Sequence, residues 1–238
     1  MSNSLKFKRV LLKLSGQSLG SGQGAGFSPE NIKTICEKIK SAKETGVEIG
    51  IVLGGGNFVR GKDATDLKLH RSSADKIGML GTIMNSICLS ATLNSMGIES
   101  IVMNSTEMSS ICETFTSEKA RRELSNGKIV IFSGGTGNPY FTTDTAATLK
   151  ALETNADILL KATRVNGVYS ADPEKDKNAI KYDTLSIDEV IDKNLKIMDM
   201  TAFTLMQENN LPLIVFDIGE DDILKKVICG EATGTIIK

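Results

Sequence analysis

The sequence predicts an α/β protein, a three-layer α/β/α sandwich around a largely parallel central sheet. Short apolar runs of strand length alternate along the chain with stretches of helical period. The runs are continuously apolar, as in strands covered on both faces, the clearest being Glu48–Leu53 and Ile129–Phe132. Each of these leads directly into a glycine-rich turn, Gly54-Gly-Gly-Asn57 and Ser133-Gly-Gly-Thr-Gly-Asn-Pro-Tyr-Phe-Thr-Thr-Asp144. A strand, a glycine-rich turn and a helix N-terminus together make a phosphate or nucleotide site. Two such turns point to two phosphate-bearing ligands.

Strand one is Arg9–Leu14. Ser28 caps the first helix and Pro29 takes its first position. Ile32, Ile35, Cys36, Ile39 and Ala42 form its apolar face, and Gly46 ends it. The second strand precedes Gly54. A long helix over Ser73–Met96 stops at Gly97, a strand follows over Glu99–Met103, and a short helix over Glu118–Leu124 leads to the Ile129 strand. Thr142 and Thr143 are good caps for a helix over Thr145–Thr154. Asp157–Lys161 is the next strand. The polar segment Arg164–Thr184, with turn signals at Asn166-Gly167 and Asp172-Pro173, predicts a loop or small hairpin beside the sheet. Helices over Ile187–Lys193 and Thr201–Asn209, a strand at Pro212–Phe216, a helix after Glu220 and a strand at Thr235–Ile237 complete the order. Repeats and linkers are absent, so the chain reads as one domain, 1–238, with two approximate lobes, 1–155 and 156–238.

Composition narrows the function classes. The 238 residues carry a net charge of -1, without the basic surplus that a nucleic-acid partner would call for. No uninterrupted apolar run approaches the ~18 residues of a membrane span. Lys13 breaks the first apolar stretch after Val10-Leu11-Leu12, which makes it a strand and not a signal peptide. Cys36, Cys88, Cys112 and Cys229 lie far apart with no zinc spacing, and read as free thiols of a reducing cytoplasm. His70 has no ligand-spaced partner and reads as a surface residue. The expectation is a cytoplasmic protein with no nucleic acid, no membrane and no metal ligands of its own.

Lys13 ends strand one and is followed by Leu14-Ser15-Gly16. Ligands of open α/β sheets gather at the carboxyl ends of strands, where a lysine reaches phosphates as a point charge. Gly56–Lys62 resembles a P-loop, but Asp63 stands where the magnesium-binding hydroxyl belongs, so the match is chance. Arg60, just beyond the glycines, is suited to clamping phosphoryl oxygens. Asp75, placed in the first turn of the long helix, reads either as a dipole partner or as an acceptor for ribose hydroxyls. Between Lys161 and Pro173, Tyr169 and Asp172 suit an adenine and ribose pocket, or an ordinary turn. Asp199, in an apolar stretch before a helix, reads as a functional carboxylate or a cap.

Together these motifs resemble the bacterial uridylate kinases of the amino acid kinase family. The matching segments are Lys8–Gly16, Leu53–Asn57 with Arg60 and Gly61, Gly78–Asn85, Ser133–Asp144, Leu160–Thr163 with Gly167–Pro173, and Ile197–Asp199 with Ala202–Leu205. The resemblance implies transfer of the γ-phosphoryl group of ATP to UMP, giving UDP and ADP in pyrimidine nucleotide synthesis, with Mg²⁺ bound mainly through the nucleotide phosphates. It implies ATP contacts from Lys13, Leu14, Ser15, Gly16, Gly56, Arg60, Thr163, Tyr169 and Asp172. UMP contacts would come from Gly55, Asp75, Thr136, Gly137, Asn138, Pro139, Tyr140, Phe141, Thr142 and Thr143, which assigns UMP to lobe 1–155 and ATP to lobe 156–238. Lys13, Arg60, Asp144 and Asp199 would be the catalytic set, with Asp144 orienting Lys13 and a second lysine, Lys161. It further implies a homohexamer inhibited by UTP and, in many members, activated by GTP; Ser21–Gly26 fits the activation stretch loosely. Gln17, Lys76 and Asn166 depart from the common pattern. Two alternatives stay open: another phosphotransferase of the family, acting on carbamate or acetylglutamate, and a non-catalytic nucleotide sensor.

Overall fold

The computed structural model describes residues 5–20, 26–58, 66, 68–173, 175–231 and 234–238. Its centre is a nine-stranded sheet. From edge to edge the strands are β4 (Glu113–Thr114), β3 (Ser100–Asn104), β5 (Ile129–Ser133), β2 (Glu48–Leu53), β1 (Arg9–Leu14), β6 (Ile158–Thr163), β10 (Leu213–Asp217), β11 (Thr235–Ile237) and β9 (Thr184–Leu185). Neighbours run parallel throughout, except for the antiparallel pair β10 and β11. A separate antiparallel ribbon pairs β7 (Val168–Tyr169) with β8 (Lys181–Tyr182), the small hairpin that the turn signals predict.

Helices cover both faces. Val10, Leu12 and Leu14 of β1 point to one side, where they join a core with Ile35 and Ile39 of α1 (Pro29–Lys43), Leu89 and Leu93 of α2 (Arg71–Ser95), and Leu224 and Val227 of α7 (Ile223–Ile228). Leu11 points to the other side. There it meets Ala120 and Leu124 of α3 (Ser117–Ser125), Ala147 and Ala151 of α4 (Thr143–Glu153), Val190 of α5 (Ile187–Asp192), and Phe203 and Met206 of α6 (Met200–Glu208). This is the predicted three-layer sandwich, and the period-2 alternation of β1 supplies both cores at once.

The chain leaves β1 in both directions across the sheet, to β2 and β5 on one side and to β6 and β10 on the other. A ligand cleft forms outside the carboxyl ends of the strands where the order reverses. The carboxyl ends of β1, β2, β5 and β6 therefore meet there, and both glycine-rich turns begin from that edge.

Several boundaries differ from expectation for identifiable reasons. Helix α2 starts at Arg71, two residues early, because the exposed His70 caps it with Nδ1 accepting the Ser72 N–H at 3.3 Å. Asp75 is consequently one full turn inside the helix and not in its first turn. Helix α4 starts at Thr143, with the predicted Thr142 as its cap. The two-residue strands β4 and β9 are too short to show any sequence period. Helix α2 holds no uninterrupted apolar run of membrane length, because Asp75, Lys76, Thr82, Asn85 and Ser86 break it. By length and composition α2 could cross a membrane, with 25 residues and a mean hydropathy of 1.2 over its best window. Its buried residues are however part polar, Thr82, Asn85, Ser86 and Ser90, and part apolar, Ile83, Leu89 and Leu93, while Ile77, Leu80, Met84 and Ile87 are exposed.

All four cysteines are free thiols. Burial pushes the Cys36 thiol up to about 12, with Cys88 and Glu37 adding to it, so it stays protonated.

Phe216 is fully buried in β10 among the α1 and α7 side chains. Phe216→Ala should lower unfolding free energy by about 3–5 kcal/mol in urea titration, the usual result of opening an aromatic-sized cavity. A loss under ~1 kcal/mol would contradict this packing.

Candidate active site

Two lysines stand side by side on the sheet. Lys13 of β1 and Lys161 of β6 are register partners, and both share the face of Leu11 and Leu159. Neighbouring strands lie about 4.8 Å apart, so two ammonium groups on one face repel unless a carboxylate separates them. Asp144, in the first turn of α4, is that carboxylate. Its Oδ1 lies 2.6 Å from Lys13 Nζ and its Oδ2 accepts from Lys161 Nζ at 2.8 Å. Lys161 Nζ also donates to the Ile197 carbonyl. All three side chains keep only 12–15% of their exposure.

The electrostatics are asymmetric. Burial pushes the Asp144 carboxyl up, and the two lysines more than reverse this, leaving it below the usual carboxylate range. Burial pulls Lys161 down, and Lys13 adds to the fall; one shared carboxylate does not restore it. Two lysines share one directly paired carboxylate, with the Asp199 charge acting on Lys161 from further off, an arrangement to which a phosphate could add.

Asp199 braces the helix that holds Asp144. It caps α6 by accepting the Ala202 N–H at 2.9 Å. It also accepts the Thr142 hydroxyl and, at 2.9 Å, the Thr145 hydroxyl. The N-termini of α4 and α6 are thereby tied through one carboxylate, which stands off the lysine pair.

The Gly54–Asn57 turn is packed where side chains do not fit. A Cβ on Gly16 would stand 2.7 Å from Asn57 Oδ1 and 2.8 Å from the Gly56 nitrogen; one on Gly55 would strike the Gly78 carbonyl. Glycine allows both approaches, bringing the Lys13 turn and helix α2 against the loop. Among the described residues, none of the hydrogen bonds takes up the Gly55 or Gly56 N–H. Leu14 is wholly buried, so it can offer only backbone, and its carbonyl accepts the Gly54 N–H. Ser15 caps the short 3-10 turn Gly16–Leu19.

On one side of this loop is a cavity of about 280 Å³ whose lining includes Gly55, Gly56, Asp75, Thr136, Asn138 and Phe141, with Thr142 and Thr143 at its α4 end. Asp75 Oδ2 accepts the Tyr140 N–H at 2.7 Å and lies 3.6 Å from Arg71 Nε. Tyr140 has φ 73, a left-handed conformation that costs a non-glycine residue ~1–2 kcal/mol, and Asp75 holds it there. Gly137, Pro139 and Tyr140 shape the loop without lining the cavity. A larger cavity of about 620 Å³ is lined by Lys161, Thr163, Tyr169, Asp172, Lys196 and their neighbours. Lys161 thus lines one cavity, and Thr143, next to Asp144, lines the other.

Arg60 lies outside the described residues, as do residues 21–25 of the loosely matching stretch. Sequence reasoning left several contributors out of the site residues. Lys161, expected only as a partner of Asp144, was readable from its place at the end of a strand, like Lys13. Arg71 was readable at helical spacing from Asp75. Thr82, whose hydroxyl accepts the Gly134 N–H, and Asn85 sit on the buried side of α2; both lie in the matching segment Gly78–Asn85 but carry no assigned role there.

The chain is similar to solved UMP kinases. Against UMP kinase from Bacillus anthracis the identity is 39% and the TM-score 0.95, covering 98% of this chain and 96% of the other. UMP kinase from Ureaplasma parvum gives 32% and 0.92, covering 98% and 100%. Uridylate kinase from Archaeoglobus fulgidus gives 28% and 0.74, covering 96% and 99%. The profile of the amino acid kinase family matches residues 8–217. The chain belongs to the amino acid kinase family.

Proposed function

We propose that the protein is a nucleoside monophosphate kinase that transfers the γ-phosphoryl group of ATP to UMP, releasing UDP and ADP for pyrimidine nucleotide synthesis. The observation that carries this reading is the Lys13–Asp144–Lys161 cluster, flanked by two cavities of different size and chemistry. The larger, with Tyr169 and Asp172, suits ATP. The smaller, with Asp75 and the Thr136–Thr143 loop, suits UMP. The names of the similar enzymes support the same acceptor.

Phosphoryl transfer asks for alignment and charge neutralisation rather than covalent help. Lys13 and Lys161 neutralise charge on the transferring group, and the Gly55 and Gly56 N–H groups offer further donors. Asp144 holds both lysines in place, and Asp199 holds Asp144's helix. No general base is required, because a phosphomonoester with a second pKa of about 6 is already an ionised nucleophile near neutral pH. Among the described residues no group of three or more acidic, histidine or cysteine side chains is placed to hold a metal. Asp144 is also engaged by two lysines. Magnesium would accordingly arrive on the triphosphate, where it screens phosphate charge. The exposed stripe Ile77, Leu80, Met84 and Ile87 on α2 supports a homo-oligomer, a hexamer on the resemblance, in a cytoplasmic enzyme; UTP inhibition rests on the resemblance alone, and GTP activation is left open by the loose fit of Ser21–Gly26.

The function is tested by a coupled ADP-release assay offering UMP, CMP, dTMP, acetylglutamate and carbamate. Turnover with UMP is expected. Preference for another acceptor would discard the UMP reading, and tight nucleotide binding without turnover would favour a sensor. Lys13→Ala should cut kcat by ~10²-fold or more, the effect of losing one preorganised charge partner; near-normal turnover would sink its role.

Asp75→Ala should raise KM for UMP about 10- to 100-fold and leave KM for ATP nearly unchanged, since it removes a charged acceptor on the UMP side alone. An equal rise in both constants would place Asp75 elsewhere. Because Lys161 is pulled down from 10.5 and acts protonated, kcat/KM for ATP should fall as pH rises through that lowered value, before an ordinary lysine would titrate. Lys161→Arg should move this alkaline limb upward; an unmoved limb would assign it to another group.

A further inference from the structure

Helix α2 reaches the glycine turn through a pair of buried amides. Asn85 is fully buried and Asn57 is 5% exposed. Asn57 Nδ2 donates to Asn85 Oδ1 at 2.9 Å, and Asn85 Nδ2 donates back to Asn57 Oδ1 at 2.7 Å. The second hydrogen of each amide goes to backbone: Asn85 to the Gly54 carbonyl at 2.7 Å, Asn57 to the Gly26 carbonyl at 3.0 Å. All four amide hydrogens are used, two to clasp the pair and two to grip separate loops. In a buried setting such a network is stable only when complete, because each orphaned group bears its full desolvation penalty.

The consequence for the loop is directional. The peptide joining Gly54 and Gly55 is planar and trans, so its carbonyl and N–H point opposite ways. With the carbonyl held by Asn85, the Gly55 N–H faces away from that amide. Asn57 Oδ1 also lies within 2.7 Å of where a Gly16 Cβ would be, so the same clasp sets the fit between the glycine turn and the Lys13 turn.

We propose that Asn85 is a positioning residue for phosphoryl transfer, acting through Asn57 and the Gly54 carbonyl to aim the glycine turn at the reacting phosphates. This rests on the phosphate-binding reading of that turn given above. Gly55 and Gly56 line the smaller cavity and the turn packs against the Gly16 turn that follows Lys13, so its misalignment affects the transfer step more than the binding of either nucleotide. A misplacement near 1 Å is enough to slow transfer ~10²-fold.

The test is steady-state kinetics of full-length Asn85→Asp, Asn57→Ala and the double variant Asn57→Ala/Asn85→Ala, with Ser86→Ala as a control. Ser86 is equally buried on α2, but its hydroxyl serves only the helix's own Thr82 carbonyl. Asn85→Asp is expected to lose ~10²-fold in kcat with both KM values within about threefold of wild type. Its loss should shrink as pH falls, because a buried carboxyl takes up a proton and regains one donor. The double variant should be no slower than the worse single variant, as for residues acting as one unit. Should Asn85→Asp not fold, Asn57→Ala carries the same expected loss in kcat. A folded variant with wild-type kcat, or an equal loss in Ser86→Ala, would overturn the positioning role and leave the proposed function standing. Wild-type enzyme that transfers phosphate to none of the acceptors would overturn both.

Discussion

Two lysines on adjacent strands share a single carboxylate, and the architecture of this protein is arranged around that contact. Lys13 and Lys161 are forced together by the β1–β6 register, and parallel pairing gives them no freedom to separate along the strands. Asp144 relieves the repulsion, but only if α4 begins where it does. Removing one member of such a partly buried cluster leaves uncompensated charge, which is typically worth ~3–5 kcal/mol. The helix start is therefore secured twice, by the Thr142 cap and by Asp199 bridging to α6. Two lysines held against one directly paired carboxylate are an arrangement that a phosphate would complement.

A comparable constraint governs the glycine turn. Gly16, Gly54, Gly55 and Gly81 lie where three backbones approach one another within side-chain distance. The void left by the missing side chains is filled by backbone, and the two asparagines supply the hydrogen bonds that hold it. Helix α2 therefore has an inverted character for part of its length, polar toward the protein and apolar toward the outside. Its inner face holds the glycine turn, and its outer stripe is exposed.

Much of this is legible in the amino-acid sequence. Arg9–Leu14, Glu48–Leu53 and Thr235–Ile237 match their strands end to end, because continuous apolar runs bounded by charge or glycine have sharp edges. Ser28, Pro29 and Thr142 start helices through local hydrogen bonds and a fixed φ, which depend on residues nearby in the chain. Asp144 and Lys13 stand out as charged residues beside turns. Asp75 is less legible. Its place on the helix depends on an imidazole cap, and its carboxylate turns toward the Tyr140 N–H, a partner that no local pattern announces. Which polar residues of α2 are buried is equally hard to read, because burial there is settled by the loop packed against it.

Apart from the two-residue strands β4 and β9, the sequence by itself determined the main elements, their order, the glycine turns and the sandwich they build, since each follows from period, caps and backbone freedom within a few residues. Tertiary structure decided which elements became neighbours. Only the strand order places Lys161 beside Lys13, and only the packing of α2 on the glycine turn joins Asn85 to Asn57. Those pairings join segments far apart in the chain. They are set by burying two cores on one sheet, a condition satisfied by the whole molecule and written in no single segment of it.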